Sequence, residues 1–164
     1  MDFNPALCPP SPFHATAIYM DGCGILLLGP PGSGKSDLAL RLIMERGARL
    51  VADDLCEILH KPDGLWVQCL KEGERLLEVR GLGIAAMGEG QWIKCAPLAF
   101  ALHLTRDKDI PREPVRQTLQ GTHLPLYACD PFCASAAAKI SLLVRHHKEE
   151  VRLLWPDTPL PHAA

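Results

Sequence analysis

The chain has 164 residues, of which 48% are hydrophobic and 22% are charged, and its formal net charge is −2. This size and composition fit one compact domain spanning residues 1–164 and leave little room for a second. The near-neutral charge and the lack of a long basic run in the sequence argue against nucleic acid as a partner.

The two ends of the chain and its cysteines bear on where the protein works. Residues 1–12 and 156–164 are rich in proline and are expected to be extended termini. The sequence shows no secretion signal and no apolar stretch of membrane-spanning length. Its seven cysteines are odd in number and form no CxxC pair, so reduced thiols are expected. These features predict a cytoplasmic protein without a membrane partner.

The first predicted elements form a hairpin. Residues 14–20 have the composition of a strand, Asp21 and Gly22 form a turn dipeptide, and residues 24–28 are wholly apolar, as in a buried strand. Antiparallel pairing of the two strands would bring His14 toward the end of the second one. A histidine in a strand is otherwise a structural residue, so this position alone does not assign it a function.

A complete phosphate-binding motif follows the second strand. Residues 29–36 match GxxxxGKS, and the amphipathic residues 37–44 predict the helix that must follow, with Gly47 at its end. In such a loop backbone N–H groups converge on phosphate oxygens, the lysine reaches the terminal phosphates and the hydroxyl ligates Mg²⁺. A simple Gly/Pro turn is the alternative, but the flanking elements favour a site for ATP and Mg²⁺. The predicted binding residues are Gly29, Pro30, Pro31, Gly32, Ser33, Gly34, Lys35 and Ser36.

Two carboxylates end the next predicted strand, over residues 49–54. Asp53 and Asp54 stand where P-loop enzymes hold an aspartate that coordinates Mg²⁺ or accepts a proton. The alternative is that the pair only begins a turn, since aspartate is common there. Residues 57–60 and 65–70 then predict a second hairpin.

The rest of the chain completes an α/β pattern. Residues 76–84 predict a strand in which alternation places Glu78 and Arg80 on one face. Residues 96–104 predict another apolar strand, residues 107–120 a loop, and residues 134–154 a long C-terminal helix. The order of elements predicts a single domain with a mixed central sheet and flanking helices.

Four strings resemble, in order and spacing, the catalytic domain of the HPr kinase/phosphorylase family. They are residues 14–16 (HAT), 29–36 (GPPGSGKS), 50–54 (LVADD) and 77–84 (LEVRGLGI). The resemblance implies a P-loop fold similar to that of phosphoenolpyruvate carboxykinase. It also implies transfer of a phosphoryl group to a serine of an HPr-like phosphocarrier protein of the sugar or nitrogen phosphotransferase system. By the same analogy the protein is expected to form a homo-oligomer, since the family forms hexamers.

The resemblance also implies roles for individual residues. Asp53 would be the general base and His14 would sit beside it and orient it. Lys35 would neutralise the β and γ phosphates, while Ser36 and Glu78 would hold Mg²⁺. Two further residues are candidates for a supporting role: Arg80 for contact with phosphate, with a plain salt bridge as the alternative, and Asp54 for assistance to the metal or to Asp53.

The chain departs from the family pattern in two ways. It starts almost directly at the catalytic strand, so it resembles a truncated form without the N-terminal domain. Residues 125–132, which stand where the family has a basic loop that supports phosphorolysis, contain no lysine or arginine. We therefore expect kinase activity with weak or absent reversal. A family arginine would correspond to Arg112 or Arg116, between which the sequence does not decide.

Two other classes of function remain open. A small-molecule P-loop kinase would share the loop and would use an arginine-rich lid, for which Arg106, Arg112 and Arg116 are candidates. A noncatalytic nucleotide-binding module or GTPase switch is the second alternative. The sequence contains no NKxD string, and its only DxxG-like string precedes the phosphate loop, so a GTPase switch is disfavoured.

Overall fold

The computed structural model describes residues 13–70, 74–109, 113–119 and 122–155. The predicted extended termini and Arg112 lie outside these ranges. The described residues form eleven strands and two helices: β1 Phe13–His14, β2 Thr16–Met20, β3 Cys23–Leu28, α1 Lys35–Arg46, β4 Arg49–Ala52, β5 Leu55–Lys61, β6 Gly64–Cys69, β7 Leu76–Val79, β8 Gly83–Ala86, β9 Cys95–Leu104, β10 Val115–Leu119, β11 Thr122–Cys129 and α2 Ala136–His147.

A mixed sheet forms the centre of the fold, as predicted. Its strands follow the order β1-β5-β6-β9-β3-β2-β4, and β11 joins β9 and carries β10 on its other edge. Strand β9 runs parallel to both β3 and β11, whereas β2 is antiparallel to β3 and to β4. Strands β3, β4, β9 and β11 therefore point the same way, and their carboxyl ends meet at one edge of the sheet.

The two faces of the sheet are buried in different ways. Alternation along β3 sends Ile25 and Leu27 to one face, where the buried residues of α1 and α2 pack, and sends Leu26 and Leu28 to the other. The second face is covered by the β5–β6 hairpin, and the fully buried Val67 of this hairpin packs in the core there. Burial on both faces explains why β3 is an unbroken apolar run in the sequence.

The predicted strand over residues 76–84 is wrong, because the chain reverses within it. Strands β7 and β8 form an antiparallel hairpin, and the N–H of Leu82 donates to the carbonyl of Val79 across the turn, at 3.0 Å. Gly81 and Gly83 have φ of +87° and +122°, a conformation that glycine adopts without strain. Arg80 consequently lies in the turn instead of alternating with Glu78 along one strand.

Two more boundaries differ from the predictions. The C-terminal helix ends at His147, because Glu149 adopts a positive φ of 62° and the N–H of Glu150 turns back to the carbonyl of Arg145. The predicted loop over residues 107–120 contains β10, which pairs antiparallel with β11. The helix end follows from a local reversal of the backbone, whereas β10 forms because β11 supplies its backbone partners.

The phosphate loop is packed against the turn that follows β11. Gly34 has φ +94°, and a Cβ built on it would lie 3.3 Å from the nearest atoms of both Pro131 and Phe132. The Arg41 guanidinium of α1 donates a hydrogen bond to the carbonyl of Pro131. The turn over residues 130–132 is thus fixed on the loop and on the helix that follows it.

We predict that Gly34→Ala destabilises the protein more than Gly22→Ala does. Both glycines have a strongly positive φ, which costs a non-glycine residue about 1–3 kcal/mol. Gly22 has open space around it, so its substitution measures the backbone strain alone, whereas the methyl group introduced at Gly34 would also press on Pro131 and Phe132. Urea unfolding of the two variants gives the comparison. Equal losses in the free energy of unfolding would contradict the packing described here.

A partly buried histidine links α2 to the sheet. The ring of His147 stacks on Phe100 with 4.7 Å between ring centroids, and its Nε2 lies 3.0 Å from the hydroxyl of Tyr127. Burial lowers the pKa of His147 from its ordinary value of 6.5, and the neighbouring His146 lowers it further. The folded state therefore holds this ring neutral at a pH where the unfolded chain has begun to bind a proton.

We predict that the protein loses stability in mild acid because His147 must then bind a proton. A group with a lowered folded pKa contributes stability that is present above about pH 6.5 and is lost as the pH falls through the folded pKa. The free energy of unfolding of the wild type should fall over that pH range, and that of His147→Gln should fall less steeply. His103, whose pKa burial also lowers, leaves a residual slope. The exposed His123→Gln is the control, and an unchanged slope in His147→Gln would contradict the prediction.

Candidate active site

The candidate site lies where the parallel strands end. The phosphate loop follows the last residue of β3, and Asp53 follows the last residue of β4. Strand β2 lies between them and starts at this edge, because Thr16 pairs with Leu27 near the end of β3. The topology therefore brings together two segments that are separated in sequence by helix α1. Such edges are the usual ligand sites of open α/β sheets.

Asp53 accepts three hydrogen bonds that connect the parts of the site. Its Oδ1 accepts from the hydroxyl of Ser36 at 2.8 Å and from the hydroxyl of Thr16 at 2.9 Å. Its Oδ2 accepts from the backbone N–H of Glu78 at 3.0 Å. One carboxylate thus joins the phosphate loop, the sheet and the β7–β8 hairpin. The structure brings together Asp53, Ser36 and the backbone of Glu78, and the roles predicted for these residues stay predictions.

Thr16 is a contact that the sequence reasoning did not identify. It is fully buried, and among the described residues it is the one buried polar side chain. A buried hydroxyl needs a partner, and Asp53 supplies it. A polar residue at the start of an otherwise apolar strand was the available signal in the sequence.

The side chain of Lys35 folds back onto the phosphate loop. Its ammonium donates to the carbonyl of Gly29 at 2.7 Å and to that of Pro30 at 3.1 Å. Burial lowers the pKa of Lys35, while the nearby negative charges of Asp54 and Asp53 act in the opposite direction. The loop therefore holds a partly desolvated cation, which favours a polyanion, and has two carboxylates nearby.

His14 contacts the second carboxylate instead of the first. Its Nδ1 lies 3.1 Å from Oδ1 of Asp54, with side-chain exposures of 78% and 81%, whereas it was expected to orient Asp53. The pairing of His14 opposite Leu55 in β1 and β5 brings the ring to Asp54, which turns the chain with φ +78°. The two aspartates consequently have separate environments, one bound to the loop and one open to solvent.

The remaining predicted residues occupy three different positions. Glu78 is held by its backbone at Asp53, and its side chain is exposed at the rim of the site. Arg80 is exposed in the turn two residues further on. Arg116 lies opposite Pro125 in the middle of the edge strand β10, away from the carboxyl ends of the strands. Arg112 lies outside the described residues, so the choice between the two arginines stays a prediction.

The oxygen atoms at this edge suit a small hard cation. Magnesium typically takes one or two carboxylates together with phosphate and water oxygens instead of a complete protein cage. The Ser36 hydroxyl, the Asp53 carboxylate and the exposed carboxylates of Glu78 and Asp54 supply that kind of ligand. In the described ranges no group of three or more His, Cys, Asp or Glu side chains forms a self-sufficient metal site. The residues therefore fit a metal that arrives with phosphate.

Neither helix in the described part of the chain has the length and apolar character that crossing a membrane requires.

Comparison with known proteins identifies the family of the chain. The model of the family "HPr Serine kinase C-terminal domain" matches residues 6–109. An HPr kinase/phosphorylase of Geobacillus sp. (strain WCH70) is 45% identical over 82 residues, which are 49% of this chain and 26% of that protein. An HPr kinase/phosphorylase of Xanthomonas campestris pv. campestris (strain B100) is 38% identical over 120 residues, which are 70% of this chain and 38% of that protein.

A solved structure shares the fold. The Hpr(Ser) kinase/phosphatase from Coxiella burnetii superposes with a TM-score of 0.76 at 23% sequence identity, covering 85% of this chain and 97% of that chain. The chain spans about a quarter to two fifths of the length of the curated relatives that it matches. The resemblance drawn from the four sequence strings is confirmed by the family match, and the chain belongs to the HPr serine kinase C-terminal domain family.

Proposed function

We propose that this protein is an ATP-dependent kinase that phosphorylates a serine of an HPr-like phosphocarrier protein. The observation that carries the proposal is the 2.8 Å hydrogen bond between Asp53 and Ser36, which joins a carboxylate to the phosphate loop. The relatives named HPr kinase/phosphorylase support the choice of substrate.

The phosphate loop would bind the triphosphate. Backbone N–H groups of the loop and of the first turn of α1 carry partial positive charge, which favours phosphate oxygens. Lys35 would transfer its hydrogen bonds from the carbonyls of Gly29 and Pro30 to the β and γ phosphates. Its partial burial makes that cation more effective, because fewer water molecules screen it.

The oxygen ligands around Ser36 would hold Mg²⁺. When bound, the ion neutralises charge on the β and γ phosphates during transfer. Ser36 can use an oxygen lone pair for the metal while its hydroxyl hydrogen remains donated to Asp53. Glu78 at the rim and Asp54 would provide further carboxylate oxygens.

Asp53 would serve as the general base. As the serine oxygen of the carrier forms a bond to the γ phosphorus, the bond from that phosphorus to the β–γ bridging oxygen breaks, and ADP leaves with the electron pair. The proton of the serine hydroxyl passes to Asp53. A serine hydroxyl is a poor nucleophile without such an acceptor, and positioned acid–base groups typically contribute about 10²–10⁴ in rate. Thr16 and the N–H of Glu78 fix the carboxylate for this step.

Asp54 and His14 would act at the entrance of the site. Both side chains are exposed, so a protein substrate that approaches the phosphate loop can reach them. We propose that this pair helps to orient the incoming serine and supports Asp53 by its negative charge. Arg80, in the exposed turn of the β7–β8 hairpin, is proposed to contact phosphate from the same side.

The reverse reaction, in which inorganic phosphate attacks phosphoserine, is proposed to be weak or absent. Attack by phosphate brings two anions together and needs extra positive charge. Residues 125–132 provide none, and their last three residues form the turn fixed on Gly34.

The first test is phosphoserine on the carrier. The purified protein, Mg²⁺, ATP and an HPr-type carrier should give one added phosphate on a serine, located by mass spectrometry. A carrier with that serine replaced by alanine is the control, and a metabolite panel tests the small-molecule alternative. Phosphorylation of a metabolite with none on the carrier, or nucleotide binding without any transfer, would contradict the proposed function.

Substitution of the two aspartates in turn should lower kcat by different amounts. Asp53→Asn keeps an oxygen acceptor for Thr16 and Ser36 but removes the proton acceptor, so kcat should fall by about 10²–10⁴ while ATP affinity changes little. In Asp54→Asn kcat should fall by about tenfold or less, because the proposed role of Asp54 is supportive. Steady-state kinetics and equilibrium nucleotide binding measure both effects. A larger loss in Asp54→Asn would reverse the assignment.

A further inference from the structure

A cavity of about 390 Å³ opens at the carboxyl ends of β9 and β11, next to helix α2. Its walls come from the segment after β9, from the end of β11 and from the outer side of α2 and the residues beyond it. Six lining residues characterise it: Arg106, Tyr127, Asp130, Lys139, Leu142 and Trp155. None of them belongs to the site around Asp53.

Two segments that line the cavity also lead directly to residues in contact with the phosphate loop. A Cβ built on Gly29, the first residue of the loop, would lie 3.6 Å from Leu104, and the next residue, Thr105, already lines the cavity. On the other side Asp130 lines the cavity, and Pro131 and Phe132 pack against Gly34 of the loop. The cavity is therefore a neighbour of any ligand whose phosphates occupy the loop.

The contacts of Arg106 strengthen this connection. Its guanidinium lies over the ring of Phe132, 4.1 Å from the ring centroid, and Phe132 touches the position of Gly34. A planar guanidinium placed over one ring offers a surface on which a further flat ring can stack. Arg106 thus stands at the junction between the loop and the cavity.

The lining suits a nucleoside better than a second polyanion. Apolar atoms form most of its surface, and the charges of Arg106, Lys108 and Lys139 are partly balanced by Asp107 and Asp130. Apolar walls with a few polar groups are typical of sites for small organic ligands of this size. A carboxylate such as that of Asp130 is a suitable acceptor for ribose hydroxyls.

The geometry points to this cavity as the site for the base and ribose of the nucleotide whose phosphates occupy the loop. The inference rests on the proposed function, because it assigns the rest of the same nucleotide. Arg106 and the apolar walls hold the base, and Asp130 and Lys139 face the ribose side.

The experiment compares ATP with inorganic tripolyphosphate, which has the phosphates but no nucleoside. Binding of each to the Mg²⁺-loaded protein is measured by calorimetry in Arg106→Ala and in Leu142→Trp, which fills the cavity from an exposed position of α2. Both variants should weaken ATP binding by about tenfold, because each removes or blocks a contact of the base, and should leave tripolyphosphate binding within about twofold. Arg49→Ala, at the far edge of the sheet, and Met44→Trp, on the exposed side of α1, are the matched controls.

Trp155 provides an independent readout that does not depend on the variants' stability. It lines the cavity, so ATP should change tryptophan fluorescence and tripolyphosphate should not, and Trp155→Phe should abolish the change. Unchanged ATP binding in both cavity variants, or equal losses for the two ligands, would overturn the nucleoside site. Tripolyphosphate that binds the wild type no better than Lys35→Ala would instead refute the phosphate loop itself, and with it the proposed function.

Discussion

The site depends on one carboxylate that is bound from three directions. Asp53 accepts from Ser36 on the phosphate loop, from Thr16 in the sheet and from the backbone of Glu78 on the β7–β8 hairpin. Without it, two hydroxyls and a backbone N–H would lose their acceptor, which is costly for buried Thr16 above all. The same bonds fix the carboxylate next to the loop that would hold the transferred phosphoryl group. The carboxylate oxygens of Asp53 therefore both hold the site together and are the proposed proton acceptor.

The topology of the sheet explains how this arrangement extends beyond Asp53. Strands β3, β4, β9 and β11 end at one edge, so the phosphate loop, the aspartates and the cavity beside α2 are neighbours although they are far apart in sequence. The turn over residues 130–132 joins the loop to the cavity. A nucleotide and a protein substrate could then approach from two sides: the nucleotide along β9 and β11, and the carrier serine past Asp54 and His14.

Local pattern in the sequence predicted the parts of the site whose chemistry is local. The GxxxxGKS string, the apolar run of β3 and the two aspartates each have a short-range reason, and the structure has a loop, a buried strand and a strand end there. The partner of His14 and the role of Thr16 depend on tertiary contacts, and the pattern along one strand does not contain that information. The reversal at Gly81 and Gly83 is local, and two glycines that can adopt a positive φ were its signal in the sequence. The cavity has no sequence motif, because separate segments form its walls.

The most direct test of the account is a structure of the protein with Mg²⁺, a nonhydrolysable ATP analogue and the carrier. The account predicts that the γ phosphate lies in the loop over residues 29–36 and that the carrier serine oxygen lies within hydrogen-bonding distance of Asp53, about 2.6–3.2 Å. A serine held at Asp54 and remote from Asp53, or a triphosphate bound outside the loop, would contradict it.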